Sequence, residues 1–101
     1  MWNDVLYLIK VTTGRNSIGD IISSEEKRMV YTNKRSIRQS EFYQAQAEGL
    51  KPELAFDIRS FEYEGEDLVE YEEQKYKVIR TYDRGEIIEL ICEGVVNDGD
   101  A

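Results

Sequence analysis

The chain has 101 residues, 21 of them acidic and 13 basic, with no histidine and a formal net charge of −8. That length fits one domain and leaves no room for a second. The acidity argues against a general nucleic-acid binder, which needs a basic surface to neutralise phosphates, and against docking on anionic membranes.

Residues 4–13 read as a strand rich in Val, Leu, Tyr and Ile. Val5, Tyr7, Ile9 and Val11 share one face, and Leu6 and Leu8 share the other. Both faces are apolar at its start, so this strand is expected to lie between two layers. Residues 14–26 read as a polar loop, through Gly14-Arg15-Asn16-Ser17, Gly19-Asp20 and Ser23-Ser24-Glu25-Glu26, holding at most a short strand at Ile21-Ile22. Loops this long in a small domain are usually functional or mobile. Residues 27–38 read as a second strand whose solvent-facing positions carry Lys27, Arg28, Lys34, Arg35 and Arg38. Taken alone, such a face serves to discourage edge-to-edge aggregation.

Residues 40–49 break the period-2 pattern. Ser40 suits a helix N-cap and Glu41 the first turn; Gln44, Ala45, Gln46, Ala47 and Glu48 favour helix. Gly49 ends it and Pro52 prevents its continuation. About two or three helical turns are not stable alone, so the segment depends on tertiary or intersubunit contacts. From residue 54 the chain reads as an antiparallel meander, with strands at 54–60, 67–71, 75–82 and 86–93. Its turns fall at Tyr63-Glu64-Gly65-Glu66, Glu72-Glu73-Gln74 and Asp83-Arg84-Gly85. Leu54, Phe56, Ile58, Val78, Ile88, Leu90 and Cys92 are the expected core, and residues 96–101 an acidic, frayed tail. The expected fold class is all-β: a small antiparallel barrel or sandwich with one short helix or long loop inserted, forming a single domain over residues 1–101.

The absence of histidine removes the commonest general base and transition-metal ligand. The single cysteine, Cys92, builds neither a zinc site nor an intrachain disulfide. Its neighbours Ile88, Leu90 and Ile91 are apolar, so it reads as a buried structural thiol, and synthesis in a reducing cytoplasm is expected. No apolar run approaches the roughly 20 residues needed to cross a bilayer. Residues 2–11 lack the basic start and cleavage site of a signal peptide. No phosphate-binding glycine loop, nucleophile elbow or dinucleotide fingerprint occurs.

Glu62, Glu64, Glu66, Asp67, Glu70, Glu72 and Glu73 crowd one hairpin region. They read as a solvated acidic rim in preference to an acid–base pair or metal site. Asn97-Asp98-Gly99-Asp100 lacks the spacing and closing glutamate of a calcium loop. Seven Tyr, three Phe and one Trp read as core and interface residues. A barrel that stacks bases on such rings needs a basic groove, which most of this chain lacks. No catalytic residue, metal ion or cofactor is expected. The residues by themselves stop at an acidic, β-rich domain suited to assembly into oligomers.

From Arg35 onward a set of segments adds to this. They are Ser36-Ile37-Arg38-Gln39-Ser40-Glu41-Phe42-Tyr43-Gln44-Ala45, Gly49-Leu50-Lys51-Pro52-Glu53, Phe56-Asp57-Ile58, Glu62-Tyr63-Glu64-Gly65-Glu66, Tyr76-Lys77-Val78-Ile79-Arg80-Thr81-Tyr82 and Ile88-Glu89-Leu90-Ile91-Cys92-Glu93. In this order and spacing, with the opening Met1-Trp2-Asn3-Asp4, the chain resembles the head closure, or head–tail adaptor, proteins of long-tailed phages of Gram-positive hosts. The resemblance covers nearly the whole chain; residues 12–26 are its least recognisable part.

The resemblance implies a β-barrel subunit in a homo-oligomeric ring of twelve at the head–tail interface of the virion, made in the host cytoplasm. The adaptor ring lies above it, and a tail terminator or tail-completion protein below. Such a ring closes the portal channel after packaging and offers the platform for tail docking. Genomic DNA passes through without sequence-specific binding, and no membrane is involved. The channel-gating segment would be Ser40, Glu41, Phe42, Tyr43, Gln44, Ala45, Gln46, Ala47, Glu48, Gly49 and Leu50, with Phe42 and Tyr43 supplying bulk. The competing expectation is an ordinary connection packed on its own barrel. Gly14, Arg15, Asn16, Ser17, Ile18, Gly19 and Asp20 would form a loop that docks the tail or a neighbour. A small tail-side joining protein, or another β-barrel binding module, is the alternative function.

Overall fold

Strands built from β-branched, aromatic and other apolar residues between polar turns make up most of this molecule. The computed structural model describes residues 2–95; the expected tail and the Asn97-Asp98-Gly99-Asp100 run lie outside them. The strands are β1 (Asp4–Arg15), β2 (Ile21–Arg35), β3 (Leu54–Arg59), β4 (Leu68–Tyr71), β5 (Gln74–Asp83) and β6 (Ile87–Gly94). One helix, α1 (Gln39–Ala47), links β2 to β3, and a single 3-10 turn (Ser60–Glu62) follows β3. The six strands close an antiparallel barrel in the order β1-β2-β3-β6-β5-β4, with β4 returning to β1. The fold is therefore all-β as expected; of the two architectures the sequence allows it is the barrel, and the insertion is a short helix.

The inward faces follow the period of two. Phe56 and Ile58 of β3 and Ile88, Leu90 and Cys92 of β6 meet Leu6, Leu8, Val30, Val69, Tyr71 and Tyr76 in one core. Phe56 is fully buried, its ring centroid 5.1 Å from that of Tyr71 and 6.1 Å from that of Tyr76. Leu54 and Val78 are half-buried and pack against this core. Burial pushes the Cys92 thiol and the Tyr71 phenol each up to about 12.

Two expectations are corrected at the N-terminal half. Residues 14–26 are not a long loop. The ladder between β1 and β2 runs unbroken from Asp4↔Thr32 to Arg15↔Ile21, so the segment is a hairpin arm closed by a short turn. Asn16 makes that turn: its Oδ1 accepts from the backbone N–H of Ile18 (3.0 Å) and of Asp20 (2.9 Å). Gly19 supplies the positive φ of 90°. Nor does β1 lie between two layers. Leu6 and Leu8 enter the core and Ile9 is buried, but Tyr7 and Val11 are exposed.

The arm joins the rest of the barrel by two short seams. β1 pairs with β4 only over Tyr7↔Glu70, Leu8↔Val69 and Ile9↔Leu68. β2 pairs with β3 only over Asn33↔Asp57, Lys34↔Phe56 and Arg35↔Ala55. At about 3.3 Å per residue, β2 alone accounts for the 49 Å long axis of the molecule. The arm tip and α1 thus stand at opposite ends of one strand.

Candidate functional site

The best-built surface feature is the connection from β2 to β3, where the resemblance places the gate. Its seat is prepared by an irregularity in β5. Val78 pairs with Cys92, and the next pair is Arg80↔Ile91, so Ile79 is an extra residue. Such a bulge reverses the alternation of side chains along its strand. Before it, Tyr76 and Val78 face the core; after it, Arg80 and Tyr82 join Ile91 and Glu89 on the outer face.

Residues 36–53 lie over that outer face. Arg38 donates to Glu89 Oε1 at 2.9 Å, and the Lys51 N–H to Glu93 Oε2 at 3.1 Å. The Glu53 N–H donates to the Cys92 carbonyl at 2.8 Å. Within α1, Glu41 and Ala45 are one turn apart, so they share a face, and both are buried. Tyr82 OH donates to Glu41 Oε2 at 2.8 Å. Arg80 lies 3.6 Å from Glu41 Oε1 and donates to the exposed Glu48 at 2.7 Å. Ser40 does not cap the helix. Arg38 occupies the N-cap, its carbonyl accepting from the Phe42 N–H at 3.0 Å, and no side chain caps the turn.

The predicted gating residues therefore divide by face. Glu41 and Ala45 hold the helix to its own barrel. Phe42, Tyr43, Gln44, Gln46, Ala47, Glu48 and Gly49 are exposed, as is Ser40, while Leu50 is half-buried and donates its N–H to the Ala45 carbonyl at 2.9 Å. Phe42 and Tyr43, 41% and 60% exposed, meet edge to face with centroids 6.3 Å apart. Two large rings left exposed outside a barrel are suited to a partner surface.

Beneath the connection lies a charge network that the sequence did not disclose. Asp57 of β3 and Glu89 of β6 are directly opposite one another on adjacent strands, and both are buried. Like charges in that position repel. Arginines from three separate segments offset the repulsion. Arg35 binds Asp57 through Nε at 2.7 Å, and Arg38 and Arg84 each reach Glu89 Oε1 at 2.9 Å. The hydrogen bond to Glu89 is the chief cause that raises the Arg38 guanidinium further above its usual range.

Of the basic residues expected to face solvent over 27–38, Lys27, Lys34, Arg35 and Arg38 are exposed and Arg28 is half-buried, and each is engaged by a partner. Lys27 binds Glu70 (2.9 Å), Arg28 binds Glu66 (2.7 Å), Arg35 and Arg38 bind Asp57 and Glu89, and the Lys34 ammonium sits 5.6 Å from the centroid of the Tyr71 ring. Arg28 is opposite Leu8, hence on the inner face of β2. It draws Glu66 into the fold, so Glu66 is buried and does not belong to a solvated rim. Tyr63 OH donates to the Glu66 carbonyl at 2.7 Å, and burial, ahead of the neighbouring carboxylates, pushes this phenol up to about 12. Among the described residues, no group of three His, Cys, Asp or Glu side chains is placed to hold a metal ion.

The predicted docking residues Gly14, Arg15, Asn16, Ser17, Ile18, Gly19 and Asp20 form the tip of the arm, all exposed, with Ile18 at 79%. Arg15 donates to the Gly19 carbonyl at 3.2 Å and helps to hold the tip in shape. No family model and no curated protein matches the chain.

Proposed function

We propose that this protein is a structural ring subunit that closes the portal channel of a long-tailed phage head after packaging, and that it is not an enzyme. The observation that carries this reading is the division of α1: Glu41 and Ala45 tie the helix down, while Phe42 and Tyr43 stand free on the other side. These are the residues that the sequence resemblance assigns to the channel. Rings on a short, anchored helix suit occlusion of a bore, because they offer bulk without any need to hold the barrel together. Arg28, Arg35 and Arg38, each paired with a carboxylate, suit a channel through which DNA must slide without adhering. Twelve copies, an adaptor ring above and a tail-completion protein below belong to the same proposal.

The test separates gating from folding. Deleting residues 42–46 would remove the buried Ala45 along with the rings, so point changes are the sharper tool. The double variant Phe42→Ser, Tyr43→Ser is expected to melt near the parent temperature, since both rings are exposed. Heads assembled with it are expected to package DNA and then lose it. Heads that keep their DNA would show that these rings do not form the closure. The exposed arm favours a second reading within the same assembly, a tail-side joining subunit; a cryo-EM map of the neck distinguishes the two by which ring the chain occupies.

A further inference from the structure

The longest stretches of strand paired on one side only lie along the arm. Beyond the seam at Tyr7–Ile9, residues 10–15 of β1 pair only with β2. Before the seam at Asn33–Arg35, residues 21–32 of β2 pair only with β1. The arm is thus a two-stranded ribbon with two open edges, and open edges are templates for another chain. The residue types fit that use, with Val11, Thr12, Thr13, Ile21 and Ile22 in the ribbon and no proline.

The two edges are complementary to each other. Residues paired across an antiparallel ladder point their backbone groups the same way, both toward the partner strand or both away from it. Any pair whose N–H and C=O face outward on β1 therefore also has them facing outward on β2. A second arm set alongside, β1 edge against β2 edge, meets donors with acceptors in the register that the hairpin already uses. The new strand pair is antiparallel, because neighbouring arms that point the same way alternate their strand directions.

Charge selects the same arrangement. The β1 edge carries Lys10 and Arg15 and no acid over residues 10–15; the β2 edge carries Glu25 and Glu26 and no base over residues 21–26. In the shared register, Lys10 of one copy faces Glu26 of the next. Two β1 edges would instead set Lys10 and Arg15 against their own kind. Pairing two β2 edges would leave both β1 edges open. Only the head-to-tail arrangement uses both edges of every copy, and such a contact closes into a ring when its rotation allows.

We infer that the occupant of each open edge is the arm of a second copy of this chain, so that successive arms form a continuous antiparallel collar. The inference deepens the ring-subunit reading and rests on it for the number of copies, but pairing of arms is measurable without any phage component. It is weak between free subunits, because the net charge of −8 opposes association.

Disulfide trapping tests it. Thr13 and Ser23 are exposed and directly opposite in the hairpin register, so single variants Thr13→Cys and Ser23→Cys keep the fold and place one thiol on each edge. Cα atoms so paired lie about 4.5–5.5 Å apart, within disulfide range. Cys92 is buried with its thiol pushed up to about 12, so it does not compete. The two variants are mixed in equal amounts at millimolar concentration, oxidised, and the dimers separated by mass. The expected result is a mixed Thr13→Cys/Ser23→Cys dimer in roughly tenfold excess over either homodimer, as about 1.4 kcal/mol of preference gives.

Adding Lys10→Glu to the Thr13→Cys chain is expected to lower the mixed product by roughly two- to fivefold, as loss of one cross-strand ion pair does. Adding Glu26→Lys to the Ser23→Cys chain is expected to restore it. A purely statistical mixture, an excess of either homodimer, or no dimer at all would overturn the inference. Its failure is distinct from failure of the closure reading. A neck ring whose arms give no mixed product loses only the collar. Trapped collars in a protein whose Phe42→Ser, Tyr43→Ser heads keep their DNA lose only the gate.

Discussion

Replacing each of the three phenylalanines by alanine applies one chemical change to three environments. Phe56 is fully buried, its ring tilted against Tyr71 and edge to face with Tyr76, Phe42 is 41% exposed on α1, and Phe61 is 81% exposed in the 3-10 turn after β3. Truncating a buried phenylalanine costs about 3–5 kcal/mol, because transfer energy is lost and a cavity remains. A domain of this size has about 5–15 kcal/mol in total. Phe56→Ala therefore removes a large part of the stability, with a fall in melting temperature on the order of 20 °C. Phe42→Ala is expected to cost less than about 1 kcal/mol, and Phe61→Ala to stay within about 0.5 kcal/mol of the parent. Urea titration followed by tryptophan fluorescence measures all three, with the slope checking that unfolding stays two-state. Equal midpoints for the Phe56 and Phe61 variants would refute the inward face of β3, and with it the placement of Leu90 opposite Phe56.

Three further outcomes follow from local features. The turn between β4 and β5 holds Glu72 and Glu73 at φ of 50° and 67°. Substituting Asn at 72 and Gly at 73 suits that left-handed turn and is expected to raise stability by about 1 kcal/mol, read as a higher urea midpoint at unchanged slope. Burial alone disfavours the Glu66 carboxylate, but the Arg28 guanidinium and the Glu64 backbone N–H outweigh it and hold this carboxyl below its ordinary value of 4.5. A group depressed in the folded state stabilises above its unfolded value and loses that contribution as pH falls through the folded one. The urea midpoint should thus drop less for Glu66→Gln than for the parent between about pH 5 and pH 3, and equal drops would count against the Arg28–Glu66 contact. The Cys92 thiol, pushed up to about 12 by burial, should react with an aromatic disulfide reagent at about pH 8 only on the timescale of unfolding.

The inward faces of β3 and β6 were legible because one side of each meets the core and the other does not. The arm was not. From Lys10 to Lys27 both faces of the ribbon meet solvent, so no alternation of apolar and polar residues marks it as strand. The available signal was subtler: β-branched Thr12, Thr13, Ile21 and Ile22 on either side of Asn16 and Gly19. The extra residue at Ile79 also escaped the period of two, and with it the outward turn of Arg80 and Tyr82. Phe42 and Tyr43 were legible as large rings outside the strand pattern. Glu41 reads in sequence only as an acid suited to a first helical turn, and it is buried because Tyr82 and Arg80, some forty positions away, come to meet it. Partners so distant in the chain leave no local trace.

The unequal seams of the barrel also order its formation in time. The β1–β2 and β4–β5 hairpins join residues close in sequence, so little chain entropy is spent in forming them. The seam between β1 and β4 joins Leu8 to Val69 through a few residue pairs, so it repays the closure of most of the chain with little ladder. Long-range pairings of this kind set the pace of β-protein folding. The same two seams are where the folded molecule opens with least loss, releasing β1 and β2 together from β3–β6. A nascent chain therefore carries a finished arm before it has a finished barrel, and open strand edges exist before the core is sealed.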